Sequence, residues 1–415
     1  MKRFNHYLIS NSHLLLLLAM VSFFVSCNKQ EDVKPDVQIK ILPKTLQIIE
    51  ADNDFGFRIF KLLNENAENT DNIFISPTSI SLALAMTYNG AKGNTKTAME
   101  EALQKSGLSV QEINEIYQSL SDDLVQIDPE VQLTIANSIW YKNTMNVEQD
   151  FITTNQNYYH AMVSPLDFSD PMSVNIINNW VATNTNNKIK TIIESISPFD
   201  RMFLINAIYF KGKWKYQFDE SNTFDRNFYP DNEAELLSPF MYQETDLNIV
   251  SSDLLIGAEL PYGDGDFSMV ILMPQSDKTI DDLLGEFTSS NWNQWIAQFE
   301  LKTEMDLFIP KFKFEYKSHL KQELASLGMG IAFSDQADFS GISTDENLFI
   351  SDVLHKTFIE VNEEGTEAAA VTSVTVGTTS VGPINEFVAD RPFLFVIKEN
   401  STNAIVFMGR MNKPQ

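Results

Sequence analysis

Three near-continuous apolar runs constrain the fold of this chain more than any other feature. They read FSMVILMP from Phe267, RPFLFVIKE from Arg391 and AIVFMGRM from Ala404. Runs of this length without alternation are typical of strands buried on both faces. The run KFKFEYK from Lys311 instead alternates apolar and charged residues, which predicts a strand with one buried and one solvated face. Several layers of structure are therefore needed to cover these strands.

Helical patterns are interleaved with the strands. SPTSISLALAMTYNGAKGNT begins with Ser76 as a helix N-cap and Pro77 at the first helical position, and Gly90 is a stop signal. DDLLGEF and LKQELASLGM predict further amphipathic helices. The chain has no internal repeat and no clear linker, and its 415 residues are 43% hydrophobic. These features predict one large mixed domain of α+β class.

The charge and the residue chemistry exclude several functions. The chain has 56 acidic and 30 basic residues, a net charge of −26, which argues against nucleic acid as a partner. His160, His319 and His355 are isolated from one another, and the single cysteine, Cys27, has no partner. No motif supplies metal-ligand spacing or a catalytic nucleophile. We therefore expect no metal and no cofactor. A catalytic pair of carboxylates, as in glycosidases, is neither supported nor excluded by the sequence.

The N-terminus has the organisation of an export signal. Lys2 and Arg3 precede an apolar stretch at residues 14–25, which is too short to span a membrane. Cys27 follows this stretch, at the position where a bacterial lipoprotein carries its lipid. Phe24, three residues before it, stands where leucine is usual. An ordinary secretory signal is the alternative. We expect a lipoprotein signal peptide (1–26), a lipidated Cys27 with a tether (27–45) and a folded domain (46–415). The protein is then exported and lipid-anchored in a bacterial membrane, facing the periplasm or the cell surface, with secretion as the alternative.

Five segments together resemble the serpin family in their order and spacing. They are NIFISPTSISLALAMTYNGAKGNT, FLINAIYFKGKW, LHKTFIEVNEEGTEAAA, VADRPFLFVIKE and IVFMGRMNKP, and the match runs from about Leu46 to the C-terminus. The resemblance implies an α+β serpin fold with three β-sheets, about nine helices and an exposed reactive-centre loop. It also implies an inhibitor, not an enzyme, whose targets are serine endopeptidases, with cysteine endopeptidases as a second class. Such an inhibitor traps the protease as an acyl-enzyme when its cleaved loop enters the central sheet. With Cys27, the chain resembles a bacterial lipoprotein-type member.

The residues of the loop EEGTEAAAVTSVTVGTTS (363–380) suit insertion as a strand. Because strand side chains alternate between faces, one face of this loop is small or β-branched and uncharged. This face consists of Thr366, Ala368, Ala370, Thr372, Val374 and Val376. Glu367, the one charge in the inserting segment, falls on the other face, and Gly365 leaves the backbone free to hinge. A solvated, alanine-rich surface loop is the alternative interpretation.

The resemblance also assigns roles to individual positions. It places the reactive bond at Thr379–Ser380, with Thr378, Ser380 and Val381 as alternatives for the contact residue. The hinge positions are Glu363, Gly365, Thr366, Ala368 and Ala370. The polar group beneath the opening sheet is Ser76, Ser79, Asn206 and His355, and Trp214 lies where insertion begins. Plain core packing is the alternative for these last five residues.

The reactive bond also predicts the partners. Thr379 is small and uncharged, and no Lys or Arg lies between Glu363 and Asp390, so elastase-like or subtilisin-like proteases are expected. We expect a monomer that meets a membrane only through its lipid anchor. Two alternatives are open: a non-inhibitory serpin acting as a binding or carrier module, and a lipoprotein hydrolase with an unrecognised site.

Overall fold

Helices and strands alternate along the part of the chain that this computed structural model describes, residues 37–67, 71–231, 233–366 and 385–414. These residues form nine α-helices. They are α1 (Thr45–Asn66), α2 (Pro77–Tyr88), α3 (Gly93–Ala102), α4 (Val110–Gln126), α5 (Gln149–Tyr159), α6 (Met172–Asn184), α7 (Ile280–Glu286), α8 (Ser289–Ile296) and α9 (Lys321–Leu324). The last is followed by a π-helical turn, Ala325–Met329.

The same residues contain fifteen β-strands. They are β1 (Ile73–Ile75), β2 (Val131–Lys142), β3 (Met162–Leu166), β4 (Met202–Lys213), β5 (Phe224–Phe228), β6 (Leu236–Ser251), β7 (Leu255–Tyr262), β8 (Phe267–Pro274), β9 (Glu300–Pro310), β10 (Phe312–His319), β11 (Leu354–Asn362), β12 (Gly365–Thr366), β13 (Glu386–Val388), β14 (Phe393–Glu399) and β15 (Ile405–Met411).

The described strands form two hydrogen-bonded sheets. The nine-stranded sheet has the order β1-β15-β14-β8-β7-β6-β9-β13, with β5 paired to β6, and the six-stranded sheet has the order β10-β11-β12-β4-β2-β3. Two of the three expected sheets are joined here, because β6 is 16 residues long. Residues 236–240 of β6 pair with β5, residues 240–249 pair with β9, and residues 248–251 pair with β7.

Local signals in the sequence act as predicted. Ser76 caps α2, since its Oγ accepts a hydrogen bond from the amide of Ser79, and Pro77 occupies the first helical position. Every residue of β8, β14 and β15 is buried, whereas β10 alternates between buried and exposed residues. The α+β class is confirmed.

Apolar side chains fill the space on both faces of the six-stranded sheet. Between the two sheets, Phe210 of β4 and Phe395 of β14 belong to one core cluster. On the other face, α6 and the segment that follows it (residues 185–201) cover β2, β4 and β11, with Ile177, Ile193 and Phe358 in one cluster. The side chains of β4 and β11 therefore have an inner face towards the second sheet and an outer face towards α6.

The folded part begins before the predicted boundary at residue 46. The side chain of Ile39 is buried, and the amide of Lys40 donates to Oδ2 of Asp123 at 2.8 Å. Lys44 Nζ lies 2.9 Å from Oε1 of Glu112, so residues 37–44 pack along α4. Four of the six residues in the stretch VQIKIL (37–42) are apolar, which suits this contact with the core.

Candidate functional site: a slot in the six-stranded sheet

The candidate site is a gap between β4 and β11. Among the described residues no ladder joins these strands directly, and only the two residues of β12 lie between them. We call the remainder of the gap the slot; its edges are residues 202–211 of β4 and 354–360 of β11. Unpaired strand edges of this kind can accept a further strand.

Strand β12 fills one end of the gap in an antiparallel register. The pairs are Gly365 with Lys213 and Asn362, and Thr366 with Gly212 and Val361. Gly365 has a φ of +155°, and a Cβ here would lie 2.0 Å from the carbonyl oxygen of Gly212, so the position requires glycine. Thr366 is buried, with its Oγ1 2.5 Å from the hydroxyl oxygen of Tyr262. Gly365 and Thr366, two of the five predicted hinge residues, therefore lie at the start of the slot.

Trp214 binds the chain just before β12. Its indole Nε1 donates to the carbonyl oxygen of Asn362 at 2.9 Å. Its backbone amide donates to the carbonyl oxygen of Glu364 at 2.8 Å. The side chain of Asn362 accepts hydrogen bonds from the amides of Glu364 and Gly365. Trp214 thus contacts the backbone on both sides of Glu363, the first of the predicted hinge residues.

Glu363 is a buried carboxylate, with 2% of its surface exposed. Lys311 Nζ lies 3.0 Å from Oε1 and 2.8 Å from Oε2, and Thr223 Oγ1 donates to Oε1 at 2.6 Å. Burial opposes ionisation, but the hydrogen bonds from Lys311 and Thr223 hold the pKa of Glu363 below its usual value. The hinge is therefore fixed by a charged group to the junction of β9 and β10.

Four predicted residues meet beneath the middle of the slot: Ser76, Ser79, Asn206 and His355. Asn206 lies on β4 and His355 on β11, so they belong to opposite edges. The amide of Ser76 donates to Nε2 of His355 at 3.1 Å, and Oγ of Ser79 donates to Oδ1 of Asn206. The N-terminus of α2 therefore connects the two edges.

His355 is a buried neutral base in this cluster. Its Nε2 accepts the hydrogen bond from Ser76, which leaves the ring proton on Nδ1. Burial lowers the pKa of His355 from 6.5 to about 3, because the charged form would lose its hydration. At pH 7 the imidazole is uncharged.

A cavity of about 890 Å³ lies at the far end of the slot. It is bounded by the start of β4, the residues before β11 and the end of α2, and its apolar lining includes Leu84, Met202, Leu204 and Leu354. Two ion pairs join groups that line it: Arg201 Nε to Glu346 Oε2 at 2.5 Å, and Lys317 Nζ to Glu194 Oε1 at 2.9 Å. The slot therefore ends in space for apolar side chains.

Three residues of the site were not predicted. Tyr262 contacts Thr366, Lys311 contacts Glu363, and Asn137 accepts a hydrogen bond from the side chain of Asn206 at 2.7 Å. Lys311 stands in the sequence only as a charged position in an alternating strand. No local signal connects it with a carboxylate 52 positions later.

The other predicted site residues lie outside the described residues. They are Cys27, Ala368, Ala370, Thr379 and Ser380. Within the described part, no group of three or more His, Cys, Asp or Glu side chains is placed to hold a metal ion. No helix in that part combines the length and the apolar character needed to cross a membrane.

Residues 50–414 match the family model described as "Serpin (serine protease inhibitor)". The chain is a serpin. Members of this family are not enzymes, so this serpin is not an enzyme.

Similar proteins span most of this serpin. It is 36% identical over 378 residues to an uncharacterized serpin-like protein of Methanosarcina acetivorans, which covers 89% of this chain and 88% of that protein. It is 36% identical over 374 residues to the leukocyte elastase inhibitor of Xenopus laevis, with 87% and 97% covered.

Two solved structures confirm the serpin fold. The thermophilic serpin tengpin in its native state has a TM-score of 0.80 and 35% identity, covering 91% of this chain and 96% of that one. Thyroxine-binding globulin in complex with thyroxine has a TM-score of 0.81 and 28% identity, covering 89% and 100%.

Proposed function

We propose that this serpin traps serine endopeptidases as covalent acyl-enzymes by inserting its cleaved loop into the slot. The observation that carries the proposal is the position of Gly365 and Thr366, which lie between β11 and β4 at one end of a gap that has no other ladder among the described residues. The residues that follow Thr366 need only continue this antiparallel register to become a strand.

Extending the register gives each loop residue a place in the slot. Each step along the loop moves one residue back along β4 and along β11, so Thr372 would lie between Asn206 and His355. Val374 and Val376, on the same face, would then reach the cavity beside Leu204 and Met202. The uncharged face of the loop matches a slot that is polar in its middle and apolar at its end.

Insertion is favourable for two physical reasons. The new strand pairs with the free edges of β4 and β11, which satisfies backbone groups that strands otherwise leave unpaired. It also places Val374 and Val376 in the apolar cavity, and burying such a side chain contributes about 1.5–3 kcal/mol. The free energy released is available to move whatever is attached to the end of the loop.

The covalent step uses the protease's own chemistry. Its serine Oγ attacks the carbonyl carbon of Thr379, the bond to the nitrogen of Ser380 breaks, and the leaving amine takes a proton from the protease's histidine. Insertion then draws the acyl ester, which remains on Thr379, away from its catalytic position. Deacylation stalls because the oxyanion-hole donors and the general base act only at short distances.

We propose elastase-like or subtilisin-like proteases as the targets. A small uncharged residue at Thr379 suits their pockets, and the loop between Glu363 and Asp390 offers no basic residue to a trypsin-like pocket. The similarity to a protein named leukocyte elastase inhibitor supports this choice.

The direct test is a search for an SDS-stable complex. The serpin is mixed with elastase-like, subtilisin-like and trypsin-like proteases, and the mass of any complex and its cleavage site are measured. We expect a complex with one of the first two, cleaved within residues 378–381. If every such protease cleaves the loop and none stays in a stable complex, the inhibitory function is wrong.

A carrier function is the second candidate, and the likeness to thyroxine-binding globulin with bound thyroxine favours it. The small, uncharged inward face of the loop favours inhibition instead, because nothing in it opposes insertion. Heating the protein before and after loop cleavage separates the two. An inhibitory serpin gains stability when cleaved, whereas an unchanged melting temperature would support the carrier.

We also propose that the mature protein is attached to a bacterial membrane through a lipid on Cys27. The basic residues and the short apolar stretch before this cysteine support the proposal. Mass spectrometry of the N-terminal peptide after expression in a bacterial host tests it. A lipid mass on Cys27 that is lost in Cys27→Ser is expected, and an unmodified cysteine or cleavage elsewhere would favour ordinary secretion.

A further inference from the structure

A row of charged side chains crosses the outer face of the six-stranded sheet just beyond Thr366. Glu360 of β11 is paired in register with Lys313 of β10, and Lys211 lies on β4 across the slot. Oε2 of Glu360 lies 3.2 Å from Nζ of Lys313 and 3.4 Å from Nζ of Lys188, which comes from the segment after α6. No hydrogen bond or ion pair joins the side chain of Lys211 to a residue that the structure describes.

The strand alternation places these side chains on one face. Ile205 and Ala207 of β4 and Phe358 of β11 belong to the cluster beneath α6. Because side chains two residues apart share a face, Lys211 and Glu360 point to that same side. The buried pair partners of Thr366, Gly212 and Val361, belong to the opposite face.

The observed register specifies which loop residue enters this row. Thr366 pairs with Gly212 and Val361, so the next residue, Glu367, would lie between Lys211 and Glu360 on the outer face once the loop inserts. Glu367 is the only charged residue between positions 365 and 384. The single acidic residue of the loop would thus lie opposite Lys211, whose side chain has no ion pair with a described residue.

The charges at this level favour a carboxylate. Two ammonium groups, those of Lys188 and Lys313, contact the carboxylate of Glu360, and Lys211 adds a positive charge on the opposite edge of the slot. Two carboxylates directly opposite on neighbouring strands would repel each other without cations beside them. Here Lys313 and Lys188 neutralise Glu360, and Lys211 faces the incoming group from the other edge.

We propose that Lys188, Lys211 and Lys313 form a carboxylate-binding site that receives Glu367 when the loop inserts. The proposal rests on the insertion proposed above and assigns Glu367 a role in it. The acid stabilises the inserted strand at its first outward position, next to the hinge. Insertion therefore begins with an ion pair between Glu367 and Lys211.

A double-mutant cycle on the cleaved protein tests the site. Glu367→Gln, Lys211→Gln and the double variant are cleaved in the loop, and their unfolding is followed in urea. If the two side chains interact, the effects of the single substitutions will not add in the double variant. We expect this non-additivity to amount to about two- to fivefold in the unfolding equilibrium constant, the range of a cross-strand ion pair. It should become smaller as salt is added. Lys356→Gln is the matched control, since Lys356 lies on β11 and pairs with Glu315.

The outcomes separate this site from the proposed function. A gain of stability on cleavage without coupling between Glu367 and Lys211 would overturn the carboxylate site and leave insertion intact. Equal coupling of Glu367 with Lys356 would also overturn it, because the effect would then be general electrostatics. If cleavage of the wild type brings no gain in stability, the proposed insertion is wrong, and the proposal of a carboxylate-binding site is then wrong as well.

Discussion

The indole ring of Trp214 lies flat against the phenol ring of Tyr262, with ring centroids 4.4 Å apart and planes inclined by 12°. Trp214 is hydrogen-bonded to the chain before β12, and the hydroxyl of Tyr262 contacts Thr366 within it. Tyr262 is fully buried, so its hydroxyl has little access to water. The stacked pair holds the first residues of the loop in the slot.

Removing the Tyr262 hydroxyl should loosen the hinge. Tyr262→Phe keeps the stacked ring but leaves the buried hydroxyl of Thr366 without its partner, which costs about 1–3 kcal/mol. We expect faster amide hydrogen exchange at Gly365 and Thr366. Tyr242→Phe, which removes a hydroxyl bonded to Asp306, is the control. Unchanged exchange at the hinge would show that the contact contributes nothing.

A side chain at position 365 should expel β12 from the gap. In Gly365→Ala the new methyl group would meet the carbonyl oxygen of Gly212, and the φ of +155° disfavours any residue but glycine. We expect the intact variant to fold but to be cut more rapidly near residue 365 by a non-target protease. Gly285→Ala, where a Cβ meets no atom within 4 Å, is the control. Equal cleavage of both variants would contradict the prediction.

Charge on the inner face of the loop should convert inhibitor into substrate. In Ala368→Arg an unpaired guanidinium would have to enter the interior on insertion, at a cost of several kcal/mol. We expect cleavage at the same bond and a stoichiometry of inhibition raised at least severalfold. Ala368→Ser is the matched control, because it adds neither bulk nor charge. Similar stoichiometry for the two variants would mean that the register is wrong.

Acid should destabilise the protein through His355. The unfolded chain takes up a proton near pH 6.5, whereas the buried imidazole takes none until about pH 3. Stability is therefore fully present above pH 6.5 and falls below it, by up to about 1.4 kcal/mol per pH unit. Glu363, whose pKa is lowered, adds a loss only in the more acidic range where glutamates titrate. Urea unfolding at pH 7 and pH 5 checks the slope, which should be smaller in His355→Gln; an equal slope in this variant and the wild type would contradict the prediction.

The residue at the reactive bond should determine the target. Thr379→Arg gives trypsin-like proteases the positive charge that their pocket requires, so inhibition should shift towards them. Association rates with a trypsin-like and an elastase-like enzyme measure the shift. If Thr378→Arg shifts the preference and Thr379→Arg does not, the reactive bond lies one residue earlier.

What the sequence could predict was local. The cap at Ser76, the alternation in β10 and the uncharged face of the loop each depend on neighbours a few residues apart. Tyr262 and Thr366 are 104 positions apart, and nothing in the residues around either indicates the contact. The cavity and the continuity of two sheets through β6 are likewise products of packing, which no single segment determines.

The slot has a consequence for how the protein is used. At the end where β12 lies, the gap between β4 and β11 holds one strand, and that strand belongs to the same chain. On the proposed mechanism the cleaved loop stays in the slot, so one molecule would trap at most one protease. The protection obtained would then depend on the number of serpin molecules made, and synthesis would have to keep pace with the amount of protease.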